Sequence, residues 1–230
     1  MKKFITSFLL LLTAISFTSC NNDSSDDDNA QDSTGDYWPT SVDNNWVYTQ
    51  DGVENSIKIT EGDERNGAKY YKFNQLDIFG RAVEDHPPFS IKKDKGDYYI
   101  NVGEKNFTVE GVTTKITGYE FLLFKDYLGV NETWKGTYNY TKSFSTSNPN
   151  VFVTEAAYAG KILEKGISLT VNGKVFNDVI KFRFEQILDG KNDAWPTWDY
   201  STDYWIAKDV GIIKFESVGD VSELTSYRLK

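Results

Sequence analysis

The chain is poor in the side chains that most enzymes use. Among 230 residues there is one cysteine, Cys20, and one histidine, His86. Without a second cysteine no internal disulfide can form, so the folded part must be stable from its core alone. A Ser-His-Asp or Cys-His triad would have to be built around His86. That residue sits in Glu84-Asp85-His86-Pro87-Pro88, a loop by its prolines, where a surface turn histidine is expected rather than a base. Zinc sites of the usual kind need several His or Cys ligands, which the chain does not have. No glycine-rich phosphate loop is present. Asp189-Gly190-Lys191-Asn192-Asp193 carries oxygen donors, but it lacks the acidic spacing of a calcium loop, and Lys191 opposes a cation there. No cofactor and no metal are expected.

Long apolar runs are also scarce. The prominent one is FITSFLLLLTAISF, Phe4 to Phe17, after Lys2 and Lys3. It is too short and too early for a membrane span and reads as a secretory signal. It ends in Thr18-Ser19-Cys20, which resembles the lipobox of bacterial lipoproteins, with Phe17 where a leucine is commoner. The resemblance implies removal of residues 1–19 and acylation of Cys20, which would anchor the protein to a membrane and give the lone thiol its role.

Asn21 to Asp36 has six aspartates, no lysine or arginine and almost no apolar residue. Such a segment buries too little surface to offset its ordering entropy, so residues 20–36 are expected to be a lipidated cysteine followed by a disordered tether. The acidic run either only solvates the linker or, as its resemblance to the export signal of some outer-membrane lipoproteins implies, directs the protein to the cell surface. Asp32-Ser33-Thr34 also resembles a bacterial O-glycosylation tripeptide. The full chain carries 25 basic and 34 acidic residues, net −9; residues 37–230 alone are net −5. A mildly acidic domain argues against nucleic acid and anionic membrane surfaces as partners.

Residues 37–230 suffice for one all-β domain. The hydrophobic period is two. Trp134, Tyr138, Tyr140 and Phe144 share one face of Thr133–Ser145, and Ile180, Phe182 and Phe184 alternate with Lys181, Arg183 and Glu185. Asp51-Gly52, Asn66-Gly67, Lys95-Gly96, Asn172-Gly173, Asp189-Gly190 and Gly219 mark turns. Further strands are expected at 107–109, 115–124, 151–164, 167–171, 204–208, 212–217 and 224–229. The best places for a short helix are 174–178 and the approach to Leu122. So many strands with short turns imply a single curled antiparallel sheet, a half-open or closed barrel with little helix.

Val42-Asp43-Asn44-Asn45-Trp46 and Val130-Asn131-Glu132-Thr133-Trp134 share V-[DN]-x-x-W, and each opens an alternating strand. Asp and Asn tolerate positive φ, so each stretch is expected to make a tight turn that delivers a tryptophan into the core. A half-domain duplication would explain the pair. These residues also carry a family resemblance. Tyr37-Trp38-Pro39 through Trp46-x-Tyr48, Val130–Trp134, Thr170–Val179 and Ala207–Lys214 resemble, in order, four short motifs of a large group of envelope lipoproteins with curled antiparallel half-barrels. Asp43, Asn131 and Asp209 stand where that pattern has glycine, and all three residue types can occupy a left-handed turn. The resemblance implies a fold akin to periplasmic lipoprotein carriers, with an apolar concave face, and no catalytic residue.

Three of six tryptophans fall in Ala194–Trp205. Trp205 leads into the Val-Gly-Ile-Ile strand and is expected in the core. Pro196 disfavours a central strand, so Trp195, Trp198, Asp199 and Tyr200 read either as a lid packed on the barrel end or as a platform for a sugar face. The expected function is therefore a non-catalytic, lipid-anchored protein of the outer membrane, facing the cell surface or the periplasm, that binds an apolar ligand or a glycan. Two alternatives remain open: a structural or interaction subunit docking on an outer-membrane protein, and a glycan-cleaving enzyme using paired carboxylates.

Overall fold

The computed structural model describes residues 30–74, 88–145, 151–189 and 198–230. These residues form fourteen strands and no helix. The first half of the chain supplies β1 (Asn45–Gln50), β2 (Val53–Arg65), β3 (Ala68–Phe73), β4 (Phe89–Asp94), β5 (Asp97–Val102), β6 (Lys105–Val109), β7 (Val112–Ile116) and β8 (Tyr119–Lys125). The second half supplies β9 (Thr133–Phe144), β10 (Val151–Val171), β11 (Lys174–Asp189), β12 (Trp198–Ala207), β13 (Gly211–Ser217) and β14 (Asp220–Arg228). Their order across the sheet is β6-β7-β9-β10-β11-β12-β13-β14-β1-β2-β3-β4-β5-β8. The sheet is antiparallel and curls so that β8 lies against β9, although no hydrogen-bond ladder joins those two strands.

Turn chemistry sets the register. Asp51-Gly52, Asn66-Gly67, Glu110-Gly111 and Asn172-Gly173 all have positive φ at both residues, as two-residue hairpins of matching twist require. The Asn172-Gly173 turn also removes the short helix expected at 174–178. The chain re-enters a ladder at once, with Val171 opposite Lys174 and Leu169 opposite Phe176. The approach to Leu122 is likewise strand, within β8. The single strand expected over 115–124 is two. A side chain at Gly118 would meet the carbonyl of Val102 at 2.8 Å, so the chain turns at a position where only glycine fits. Conversely, 151–164 and 167–171 are one strand of 21 residues, β10, bent by bulges and by Gly166 at φ +71°.

The two V-[DN]-x-x-W stretches adopt the same structure. Asp43 and Asn131 are left-handed, at φ 74° and 71°. The Asp43 amide donates to Ile59 O, Asn44 N to Ser41 O, and Ile59 N to Asn44 O. The Asn131 amide donates to Ile162 O, Glu132 N to Gly129 O, and Ile162 N to Glu132 O. Each turn then delivers a buried tryptophan, Trp46 and Trp134. The chain is thus two six-stranded halves, β1–β5 with β8 and β9–β14, and the β6–β7 hairpin is inserted into the first.

Inside, an unbroken series of rings links the halves. Tyr98 packs on Phe124 (5.3 Å between centroids), Phe124 on Phe182 (4.7 Å), Phe182 on Tyr204 (4.9 Å), Tyr204 on Phe215 (6.3 Å) and Phe215 on Tyr48 (5.7 Å). The concave face is therefore a core rather than an open trough among the described residues. Trp205, expected in that core, lies on the outer wall, because the inward parity of β12 belongs to Thr202, Tyr204 and Ile206. Its half-buried ring is clasped between Lys181 (4.6 Å) and Lys214 (5.2 Å).

Candidate functional site

The barrel has a base and a mouth, and they differ chemically. The chain enters at the base. Asp126, wholly buried, accepts hydrogen bonds from Ser33 Oγ, from the Thr34 amide (2.9 Å) and from the Tyr98 hydroxyl (3.1 Å). Gly96 N donates to Gln31 O, and Asp209 N to Asp36 O. Tyr37 and Trp38 then insert beneath the core, against Phe124 and Phe73. Residues 31–38 thus plug the base and are held from several strands at once.

The mouth is at the opposite end of the same strands. There the inward positions change from apolar to polar at one level. Along β11 the inward series is Ile180, Phe182, Phe184, Gln186; along β12 it runs from Ile206 and Tyr204 to Thr202 and Tyr200. Phe215 gives way to Ser217, Leu224 to Ser222, and Tyr48 to Gln50. These groups bond to one another: Thr202 Oγ1 to Ser217 Oγ at 3.2 Å, Ser222 Oγ to Gln50 Oε1 at 3.1 Å, and Gln186 Nε2 to the Tyr138 hydroxyl at 3.1 Å. The result is a neutral belt of hydroxyls and amides just inside the rim.

Facing the belt is a wall of tyrosines. Tyr119 stacks on Tyr138 at 4.6 Å with planes 4° apart, and on Tyr140 at 5.1 Å. Burial pushes the phenol pKa of Tyr119 and Tyr138 well up, and the neighbouring tyrosines add to this, so both stay protonated. The same region closes the barrel. Trp134 Nε1 donates to Leu122 O (3.2 Å) and Leu122 N donates to the Tyr158 hydroxyl (3.4 Å), so side chains replace the missing β8–β9 ladder. Both rings reach across because each lies flat over a cross-strand glycine: Trp134 over Gly160, and Tyr158 over Gly136.

Of the residues singled out from sequence, Tyr200 is at the mouth, half-buried and paired with Gln186. Trp198 and Asp199 open β12 opposite Leu188 and Ile187. Cys20, His86, Trp195 and 190–193 lie outside the described residues. Among the described residues no cluster of three or more His, Cys, Asp or Glu could hold a metal. Sequence reasoning missed Gln50, Gln186, Thr202, Ser217 and Ser222. The signal was present as a polar residue ending each inward apolar series, but it emerges only when the strands are set in register.

No family model and no curated protein matches the chain. Two solved structures resemble it. A predicted lipoprotein from Parabacteroides distasonis superposes with a TM-score of 0.51 at 10% identity, over 86% of this chain and all of that one. A predicted exported protein with a YmcC-like fold from Bacteroides fragilis gives 0.48 at 11% identity, over 84% and 98% of the two chains. At such identity the first likeness speaks for the fold alone, a curled antiparallel sheet shared along nearly the whole length.

Proposed function

We propose that the protein is a non-catalytic, lipid-anchored cell-envelope protein that offers the mouth of its barrel to a ligand, with the base turned toward the membrane. The observation that carries this reading is the opposition of the two ends. The chain arrives from Cys20 at the base, through residues 31–38, while the neutral belt and the tyrosine wall lie at the far end. The eleven steps from Cys20 to Gln31 can span at most about 40 Å, at roughly 3.3–3.6 Å per residue. An acylated Cys20 would therefore keep the base near the bilayer. Among the described residues the belt contains no carboxylate pair, which supports a binding role over glycan cleavage. The packed ring series supports a site at the mouth over an acyl chain in the concavity.

The test uses the full chain in vesicles with an acceptor dye on the lipid headgroups. A fluorophore at Lys208, beside the base, should transfer energy more strongly than one at Val218, in a mouth turn. Cys20→Ser should leave the protein unbound. Equal transfer from both positions, or membrane retention of processed Cys20→Ser protein, would overturn the reading.

A second reading, docking on another envelope protein, has one observation in its favour. A groove of about 520 Å³ runs along the outer wall between Thr137, Ala157, Ala159 and Ile187, and the exposed Val151 and Val153 continue along β10. Crosslinking from Ala157 in whole cells would capture such a partner; recovery of uncrosslinked monomer alone would remove this reading.

A further inference from the structure

We infer that the mouth binds a neutral saccharide. The inference rests on the proposal that the mouth is the presented end, and it adds the chemical class of the ligand. Four features of the site lead to it.

First, the inward positions of five strands turn polar at one level. Polar groups taken from water destabilise unless they are hydrogen-bonded, and apolar residues at this level would extend the core by one layer. Instead the inward series turns polar at Gln186 on β11, Thr202 on β12, Ser217 on β13, Ser222 on β14 and Gln50 on β1, with Gln186, Thr202, Ser217 and Ser222 buried. Hydroxyls and carboxamides both donate and accept, as the hydroxyls of a sugar do. Second, no belt residue is charged. A carboxylate, phosphate or ammonium ligand would lose its hydration with no opposite charge among the described belt residues to meet it, and the acidic domain disfavours anions further. Third, Tyr140, half-buried and stacked on Tyr119 at the rim, brings a flat apolar ring with a polar tip to the mouth. A pyranose has the complementary shape: an apolar face of C–H groups edged by hydroxyls. Fourth, the Tyr119 and Tyr138 hydroxyls keep their protons, so the hydrogen-bonding pattern offered to a ligand does not change across physiological pH.

An acyl chain matches none of the belt, and a charged glycan matches its geometry without its charge. Specificity should follow from exchanging the bonds within the belt for bonds to the ligand, which only a ligand with hydroxyls at matching positions can make.

The experiment is calorimetric titration of the full chain, in a non-glycosidic detergent, with neutral oligosaccharides (glucans, mannans, galactans and fructans) and with uronic-acid and sulfated oligosaccharides as charged counterparts. One neutral class should bind, with the same affinity from about pH 5 to about pH 9 and at low and high salt. Gln186→Leu keeps the volume and removes the amide, and should weaken binding by about tenfold or more. Tyr140→Leu at the rim should do the same with less risk to the fold. Both variants are to retain the parent's melting temperature within a few degrees; if Gln186→Leu does not, Tyr140→Leu decides. Binding only of charged oligosaccharides, binding indifferent to both substitutions, or no heat with any neutral oligosaccharide would overturn the inference. The energy-transfer result stands apart. If the base faces the membrane and no neutral saccharide binds, only the ligand class fails.

Discussion

Replacing Gly160 by alanine probes the closure of the barrel at a single atom. A Cβ there would stand 2.0 Å from Trp134 Cζ2 and 2.1 Å from Cε2. Those atoms belong to a fused ring and cannot give way as the tip of a flexible side chain would. Trp134 would have to swing off the glycine, which takes its Nε1 away from Leu122 O. A buried donor left unpaired costs about 1–3 kcal/mol, and forced repacking of a filled core costs about 1–3 kcal/mol more. The restricted unfolded chain returns about 0.4–1 kcal/mol. The net expectation is a loss of about 2–4 kcal/mol, seen as a lower urea midpoint at unchanged slope and a melting temperature reduced by about 5–15 °C for a domain of this size. Gly136→Ala should cost less, about 1–2 kcal/mol, because the atoms met, the Tyr158 hydroxyl at 2.3 Å and its Cζ at 2.5 Å, are the tip of a half-buried ring rather than a buried indole. In a Trp134→Leu background Gly160→Ala should be nearly neutral, a coupling of about 2–4 kcal/mol. The reasoning is refuted if Gly160→Ala stays within about 0.5 kcal/mol of the parent, or if its cost persists without the indole.

Three further outcomes follow from the structure. Val218 is 82% exposed and held at φ +53° in the β13–β14 turn, a conformation costly for a β-branched residue; Val218→Asn should stabilise the fold by about 1 kcal/mol in chemical denaturation. Asp126→Asn puts an amide donor among the donors of Ser33, Thr34 and Tyr98; stability should fall by about 2–3 kcal/mol, and residues 31–37 should become the first point of proteolysis, whereas unchanged cleavage would show that the segment is held without it. Lys230 and Lys58 hold the Asp43 carboxyl down to about 2. A folded-state pKa below the unfolded value favours the fold above the ordinary carboxylate range, and that contribution is lost as pH falls through about 2. NMR titration should place the Asp43 midpoint there, and Lys58→Met with Lys230→Met should return it to the ordinary range.

Local chemistry made much of the fold legible. Asp43, Asn131 and Asp209 were expected to be left-handed because they stand in turns where glycine would serve, and all three are. Asp-Gly and Asn-Gly pairs located hairpins for the same reason. Parity was harder to read. In Tyr204-Trp205-Ile206 either face could have turned inward, and only the partners on β11 and β13 place Tyr204 in the core and Trp205 between lysines. Gly166 reads as a strand break, whereas it is a bulge that lets one long strand bend. The seam was invisible, since Gly160 facing Trp134 and Gly136 facing Tyr158 are meaningful only once β9 and β10 are in register. The polar belt was hidden for a similar reason. A serine or glutamine at the end of one strand reads as the approach to a turn, and only several strands side by side reveal a layer.

The repeat explains why the barrel has two unlike junctions. Each half begins with the same turn and tryptophan, and each tryptophan donates its indole N–H to a carbonyl on a segment its own strand shares no ladder with: Trp46 to Val210 O in the β12–β13 turn at 2.6 Å, and Trp134 to Leu122 O on β8 at 3.2 Å. Beside each indole lies a glycine, Gly211 and Gly160, where a side chain would crowd the ring. A symmetric pair of halves would join through two equivalent ladders. Here β14 and β1 do join by a ladder, but the insertion of β6–β7 before β8 changes the other junction. Strand β7 pairs with the mouth-side end of β9 at Thr114–Ile116 and so occupies the edge that β8 would need. Strand β8 is left beside the remaining length of β9, with Leu122 N and O facing the gap. Aromatic side chains supply the missing partners, and the same stacked tyrosines that bridge the gap form one wall of the mouth. The departure from symmetry that opened the sheet is thus what places Tyr119, Tyr138 and Tyr140 where a ligand could reach them.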